Sequence, residues 1–223
     1  MSSLPDAVVF DWDGTIVDTL RPIYRANVVV LREHGIVLSR EWFRDRYTPD
    51  WRKAYAELGV PEEAWEATAR HWSAEMGRMR PRALPWARGG LRRLRQRGVR
   101  IGLVTASTRA VVEPTLARLN LTGVFETAWY ADDVARGKPH PEGLVRALDA
   151  LGVSASRTVY VGDTPTDLEM ARAAGARFAA VGATTSPEVF RQAGAERVWP
   201  GVGAWVDELL AGSVPGPGRR ELP

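Results

Sequence analysis

From Arg100 to Leu210 the chain repeats one pattern, a short apolar run followed by a turn and an amphipathic stretch. The spacing predicts strands over Arg100–Val104, Phe125–Tyr130, Thr158–Val161, Arg177–Val181 and Arg197–Trp199. Between and after them it predicts helices over Thr108–Leu119, Pro141–Leu151, Thr166–Ala174, Pro187–Ala193 and Gly203–Leu210. A connection that contains a whole helix returns the chain parallel to the strand it left. Such units are right-handed and cover both faces of the sheet they build. One earlier run, Ala7-Val8-Val9-Phe10 after Pro5, has the unbroken apolar character of a strand buried on both faces. The chain is therefore expected to be α/β, with a doubly wound parallel sheet.

The repeat is interrupted directly after that first strand. No strand signal falls between Ile16 and Ala83. Leu20, Ile23, Tyr24, Val28 and Leu31 mark a helix over Asp18–His34 that Gly35 stops. Ser39, followed by Trp42 and Phe43, starts a second, and Asp50 caps a third that runs to Leu58-Gly59. Pro61-Glu62-Glu63 opens a fourth, which carries Trp65, Trp72 and Met76 to about Arg80. A helix around Trp86–Arg97 then leads back into the sheet. The expected organisation is a sheet core of residues 1–18 and 83–211 and an all-helical block at 19–82. A tail at 212–223, with Pro215-Gly216-Pro217-Gly218, is expected to be disordered. A helical insertion at that point lies over the strand ends, where a lid belongs.

Open α/β sheets bind their ligands just outside the carboxyl ends of the strands. Four predicted strand ends here carry polar groups that core packing does not require. The first gives Asp11-Trp12-Asp13-Gly14-Thr15, with Gly14 free to turn sharply without a Cβ. The next gives Thr105-Ala106-Ser107. Gly137-Lys138-Pro139 follows the third, and Gly162-Asp163-Thr164-Pro165-Thr166-Asp167 the fourth. Each group also has a plainer reading. Asp13-Gly14 could be a turn, Thr105 a helix cap, Lys138 a solvated loop residue, and Asp163 or Asp167 a cap. Asp132-Asp133 reads as a loop or helix-start pair rather than as ligands. The plain readings would all have to hold together at consecutive strand ends.

As a set, these residues suit a phosphoryl group. Asp11, Asp13, Asp163 and Asp167 could gather Mg²⁺ through oxygen, and without a cation they would repel one another by several kcal/mol. Lys138 and the Thr105 hydroxyl supply the positive charge and the donor that anionic oxygens need. Composition supports a hard cation, because there is no cysteine and His34, His71 and His140 are scattered. Lys53 and Lys138 are the only lysines among 30 basic residues, so Lys138 stands out where arginine is the rule. A net charge of +3 does not call for nucleic acid. The basic run around Arg88, Arg92, Arg93, Arg95 and Arg97 has Leu91 and Leu94 at helical spacing and reads as a solvated helix face. No basic leader precedes an apolar stretch, and no run approaches the ~20 apolar residues of a membrane span. A soluble, cytoplasmic protein without a membrane partner is expected.

Asp11-Trp-Asp13-Gly-Thr, Thr105 at a strand end, Gly137-Lys138-Pro139 and Gly162-Asp163-xxx-Asp167 resemble the four ordered motifs of the haloacid dehalogenase superfamily. The helical block falls where the phosphoglycolate-phosphatase-like branch inserts its cap. The resemblance runs to about Leu210 and implies a Rossmann-like core with an inserted helical cap. It also implies a phosphatase acting on a small phosphorylated metabolite, as a monomer or homodimer. Asp11 would be the nucleophile and Asp13 the general acid and base. Mg²⁺ would be held by Asp11, the main-chain carbonyl of Asp13 and Asp163, with Asp167 ligating or one shell out. Thr105 and Lys138 would hold the transferring oxygens, beside Gly14, Thr15, Ala106 and Ser107. Trp12 alternates away from the site, into the core.

Two other readings use a similar set of groups. A sugar-phosphate mutase would share the core residues and differ in the cap. A phosphoacceptor receiver module would be shorter, would lack the helical block, and would carry its acids on different strands. A dehalogenase would not need Asp13 or the Asp163/Asp167 pair. Within the block, Arg46, Tyr47, Arg52 and Lys53 surround Pro49-Asp50. Arg52 and Lys53 are the expected contacts to an anionic group beyond the phosphate, such as the carboxylate of 2-phosphoglycolate; the same residues also read as a solvated surface.

Overall fold

The computed structural model describes residues 4–212 except 47, 49, 183 and 184, with the backbone alone at 44 and 45. The tail beyond Gly212, together with Tyr47 and Pro49, lies outside the described residues. Six strands form one sheet: β1 (Ala7–Phe10), β4 (Arg100–Val104), β5 (Thr127–Trp129), β6 (Thr158–Gly162), β7 (Arg177–Val181) and β8 (Val198–Trp199). Their order is β5-β4-β1-β6-β7-β8, and every pairing is parallel. The doubly wound sheet read from the sequence is present.

Side chains of successive strand residues point to opposite faces, and each face finds its own helices. Val8, Phe10, Ile101, Leu103, Val159 and Val161 pack with α5 (Ala87–Gln96), α6 (Arg109–Arg118) and α10 (Val202–Ala211). Ala7, Val9, Val104 and Tyr160 pack with α7 (Glu142–Leu151) and α8 (Pro165–Ala173) on the other face. Trp12 is 1% exposed and belongs to the first of these clusters, as alternation from Phe10 requires. A sixth core helix, α9 (Pro187–Gln192), buries Phe190 against Phe178.

Between β1 and β4 the chain makes a turn and a long excursion. Trp12 O accepts from the N–H groups of Ile16 and Val17, and Gly14 takes φ 74°, which a residue with a Cβ resists. Two short strands follow that the sequence reading did not contain, β2 (Val17–Asp18) and β3 (Arg82–Ala83), paired antiparallel. Two residues are too few to show a period of two, so no pattern announced them. α1 (Leu20–Arg32), α2 (Arg40–Arg46), α3 (Trp51–Leu58) and α4 (Trp65–Arg78) lie between them. These helices have apolar clusters of their own, built on Val30, Leu31, Leu38, Tyr55 and Val60, and on Ile23, Ala26 and Met76.

Candidate active site

β1 lies between β4 and β6, with Phe10 level with Leu103 on one side and Val161 on the other. Asp11, Thr105 and Asp163 therefore leave the sheet side by side, from three adjacent strands. The loop after β5, on the far side of β4, brings in Lys138. The motifs meet because the strands that carry them are neighbours.

Three carboxylates gather there. Oxygens of Asp11, Asp163 and Asp167 all lie within 4.8 Å of one another, and all three residues are buried. Lys138 Nζ reaches two of them, 2.5 Å from Asp11 Oδ1 and 2.7 Å from Asp167 Oδ1, and its side chain is 4% exposed. One ammonium does not balance this much negative charge. Burial, reinforced by the charges of Asp167 and Asp13 and opposed by Lys138, pushes Asp11 up to about 7. Burial and then the charge of Asp11 push Asp163 well above the usual carboxylate range. Lys138 is held up by Asp11 and Asp167 against the opposing effect of its burial. The three carboxylates could hold a cation with a preference for oxygen, and the donor set fits Mg²⁺.

Asp167 is already committed. Its Oδ2 accepts from Thr164 N–H at 3.1 Å and Thr164 Oγ1 at 2.6 Å, a capping box at the start of α8. Its Oδ1 accepts from Lys138. Gly162 passes so close that a Cβ there would stand 2.6 Å from the Asp167 side chain. Asp167 thus anchors Lys138 and caps a helix at once. Asp163 is held differently, by the Thr15 hydroxyl at 3.3 Å from Oδ1.

Asp13 stands apart from the three. Its Oδ2 accepts from the Ser107 hydroxyl at 2.6 Å. Burial raises its pKa, while hydrogen bonds from Ser107 and Thr19 work against the rise. Thr105 does not cap α6, whose cap position is Thr108. Its Oγ1 instead accepts from Ser107 N–H at 2.9 Å, which leaves the hydroxyl proton available to a ligand. Gly14 N–H donates to Val17 O and Thr15 N–H to Trp12 O, so these two residues serve the turn and the Asp163 carboxylate. They are not among the residues that line the adjoining cavity.

That cavity holds about 540 Å³ and runs from Asp13, Ala106 and Ser107 into the helical block. The structure does not bring Arg52 and Lys53 into it. Both are exposed, with Arg52 bound to Glu66 at 2.8 Å and stacked 4.2 Å from the Trp51 ring centroid. The reason is helical spacing. Trp51, Ala54, Tyr55 and Leu58 form the inward stripe of α3, so positions 52 and 53 face away. The arginines that do line the cavity are Arg46 and Arg70. Asp132 also borders it, and its Oδ1 accepts from Arg109 N–H at the start of α6, consistent with a helix-start role.

The family model for haloacid dehalogenase-like hydrolases matches residues 8–181. This chain belongs to that family. It is 34% identical over 189 residues to the protein named "Probable phosphatase IndB" of Dickeya dadantii, covering 79% of this chain and 80% of that one. It is 35% identical over 184 residues to a plasmid-encoded phosphoglycolate phosphatase of Cupriavidus necator, covering 78% and 79%. A hydrolase from Pseudomonas syringae has the same fold, with TM-score 0.83 at 21% identity over 92% of this chain and 98% of that one. So does CbbY from Rhodobacter sphaeroides, solved in complex with phosphate, with TM-score 0.73 at 24% identity over 90% and 96%.

Two contributors to this hydrolase's site were not singled out from the sequence. Tyr160, buried on β6, places its hydroxyl 2.9 Å from Val104 O and 3.3 Å from Asp167 Oδ1. Its ring centroid lies 5.2 Å from Lys138 Nζ. A phenol in an otherwise apolar strand was the available signal, because a buried hydroxyl needs a partner. Thr19, after β2, was hidden because nothing in the sequence brought it back to Asp13.

Proposed function

We propose that this hydrolase cleaves phosphate monoesters with Mg²⁺ through an aspartyl-phosphate on Asp11. The observation that carries this reading is the pairing of Asp11, gripped by Lys138, with Asp13, held separately by Ser107. Among the described residues Asp11 Oδ2 accepts no hydrogen bond, so it is the oxygen left to attack phosphorus. As the new P–O bond forms, the ester P–O bond breaks and Asp13 gives its proton to the departing alcohol. Burial favours the protonated form of Asp13 that this step needs. Water then attacks phosphorus and returns a proton to Asp13, and the Asp11 carboxylate and inorganic phosphate separate. Lys138 and the Thr105 hydroxyl steady the phosphoryl oxygens throughout.

Asp11, Asp163 and the Asp13 carbonyl would hold the metal, with Asp167 outside it. Bound there, Mg²⁺ would supply positive charge against the carboxylates and the phosphoryl oxygens. The helices between β2 and β3 act as the cap. We read the protein as cytoplasmic, with small phosphorylated metabolites as its ligands. Among the described residues no helix is long and apolar enough to cross a membrane.

Purified protein should hydrolyse ethyl phosphate or 2-phosphoglycolate only with Mg²⁺, and chelator should abolish turnover. Asp11→Asn should reduce kcat by about 10⁴-fold or more, the scale of losing an essential nucleophile. Robust turnover by that variant removes the nucleophile assignment. 2-Phosphoglycolate is the substrate in the names of several relatives and the first natural ester to test.

A further inference from the structure

A partly open cleft of about 540 Å³ runs from Asp13, Ala106 and Ser107 at the strand ends into the aromatic cluster of the cap. A pocket of that size is typical for a drug-sized molecule rather than a two-carbon acid. Its walls include Trp42, Phe43, Trp51, Tyr55 and Trp72, drawn from three cap helices. These rings pack with buried Leu38 and Val30, yet they leave the space between them open. Two of them are set edge-on to one another, Trp51 and Tyr55 at 5.4 Å and 65°. A third ring can be accommodated in such surroundings by further offset or edge contacts.

Charge at the cavity narrows the choice. Glu66 is paired with Arg52, whereas Arg46 and Arg70 form no ion pair among the described residues. Their guanidinium groups offer planar cationic faces and donors to an aromatic occupant. At the other end Asp13 and Ser107 fix where the ester oxygen must lie. We infer that the substrate is a phosphate monoester of an alcohol bearing an aromatic ring, with the ring seated among the cap tryptophans. This rests on the phosphatase reading above and names its substrate class.

2-Phenylethyl phosphate and ethyl phosphate test it, because both leave as primary alkoxides and differ in the ring. With Mg²⁺ the ring ester should show about 100-fold higher kcat/KM than ethyl phosphate or 2-phosphoglycolate, as discrimination by a hydrophobic pocket allows. Two opposite changes of volume should each lower that ratio about tenfold, Trp51→Ala by removing a wall and Ala54→Phe by filling the space. Equal or better use of either small ester overturns the inference and leaves the phosphatase reading intact. If no ester is hydrolysed, the phosphatase reading fails, and a second measurement still decides the cavity. Tryptophan fluorescence of Asp11→Asn should change saturably with 2-phenylethyl phosphate and not with ethyl phosphate. The same response to both, or to neither, overturns the inference.

Discussion

Asp167 stands among the candidate metal ligands and at the same time braces its neighbours. Four donors hold its two oxygens, two from Thr164 on Oδ2, and Lys138 with the Tyr160 hydroxyl on Oδ1. Lys138 is thereby fixed over Asp11 instead of swinging on its four-carbon stem. Gly162 is what allows the carboxylate to sit there, since a Cβ would meet Asp167 Cβ, Cγ and Oδ2 at 2.6 Å. We expect Gly162→Ala to displace Asp167, loosen Lys138 and lower kcat about tenfold to 100-fold, the effect of a misplacement near 1 Å. Steady-state kinetics of the folded variant checks this. Wild-type kcat would show that the brace is dispensable. The spacing from Asp163 to Asp167 pointed to this place in the sequence, but it could not separate ligand from brace. That distinction depends on Lys138, far away in the chain, and on which oxygen is already occupied.

At the scale of elements, legibility followed length and periodicity. The parallel strands and their helices were readable because apolar runs and helical stripes repeat over many residues. The β2–β3 ribbon was not, because pairing between Val17 and Ala83 is long-range and only two residues deep. The stripe Trp51, Ala54, Tyr55 and Leu58 is legible at helical spacing, and it turns Arg52 and Lys53 away from the cavity, against the expectation drawn from their charge alone. Helix α5 offers a clean test of packing against propensity. Gly89 and Gly90 are adjacent, and a Cβ on Gly89 would meet nothing within 4 Å. On Gly90 it would meet Trp86 Cε3 at 2.6 Å, and Trp86 is itself confined against Gly203 and Phe10. Gly89→Ala should therefore stabilise the protein by up to about 1 kcal/mol. Gly90→Ala should destabilise it by about 1–3 kcal/mol, because the new methyl must push the Trp86 ring out of its packing against Phe10. Urea midpoints of the pair decide the matter, and a gain in both would mean that Trp86 can shift.

For the whole molecule, the same buried charge that prepares the chemistry works against the fold. Asp11, Asp13 and Asp163 all have pKa values raised by burial, Asp11 to about 7. In the unfolded chain these carboxyls ionise near pH 4. Between that value and the folded-state pKa values, the unfolded state has released protons that the folded state still holds. Stability therefore falls as pH rises through this interval, and at higher pH the folded protein carries the cost of its buried anions. Lys138, held up by Asp11 and Asp167 against its burial, also loses stability as pH rises, but only above the range where lysine normally titrates. Asp6 and Glu142, lowered mainly by hydrogen bonds, act below pH 4 and are too exposed to reverse the trend. In chelator the melting temperature should thus be higher at pH 5 than at pH 8. If Mg²⁺ is held by the ionised carboxylates as proposed, it should raise the melting temperature at pH 8 far more than at pH 5. The slope should vanish in Asp163→Asn only in part, because Asp11 and Asp13 still titrate. A melting temperature that rises with pH in chelator would mean that the cluster is balanced without a cation. The cation's place in the site would then have to be reassigned.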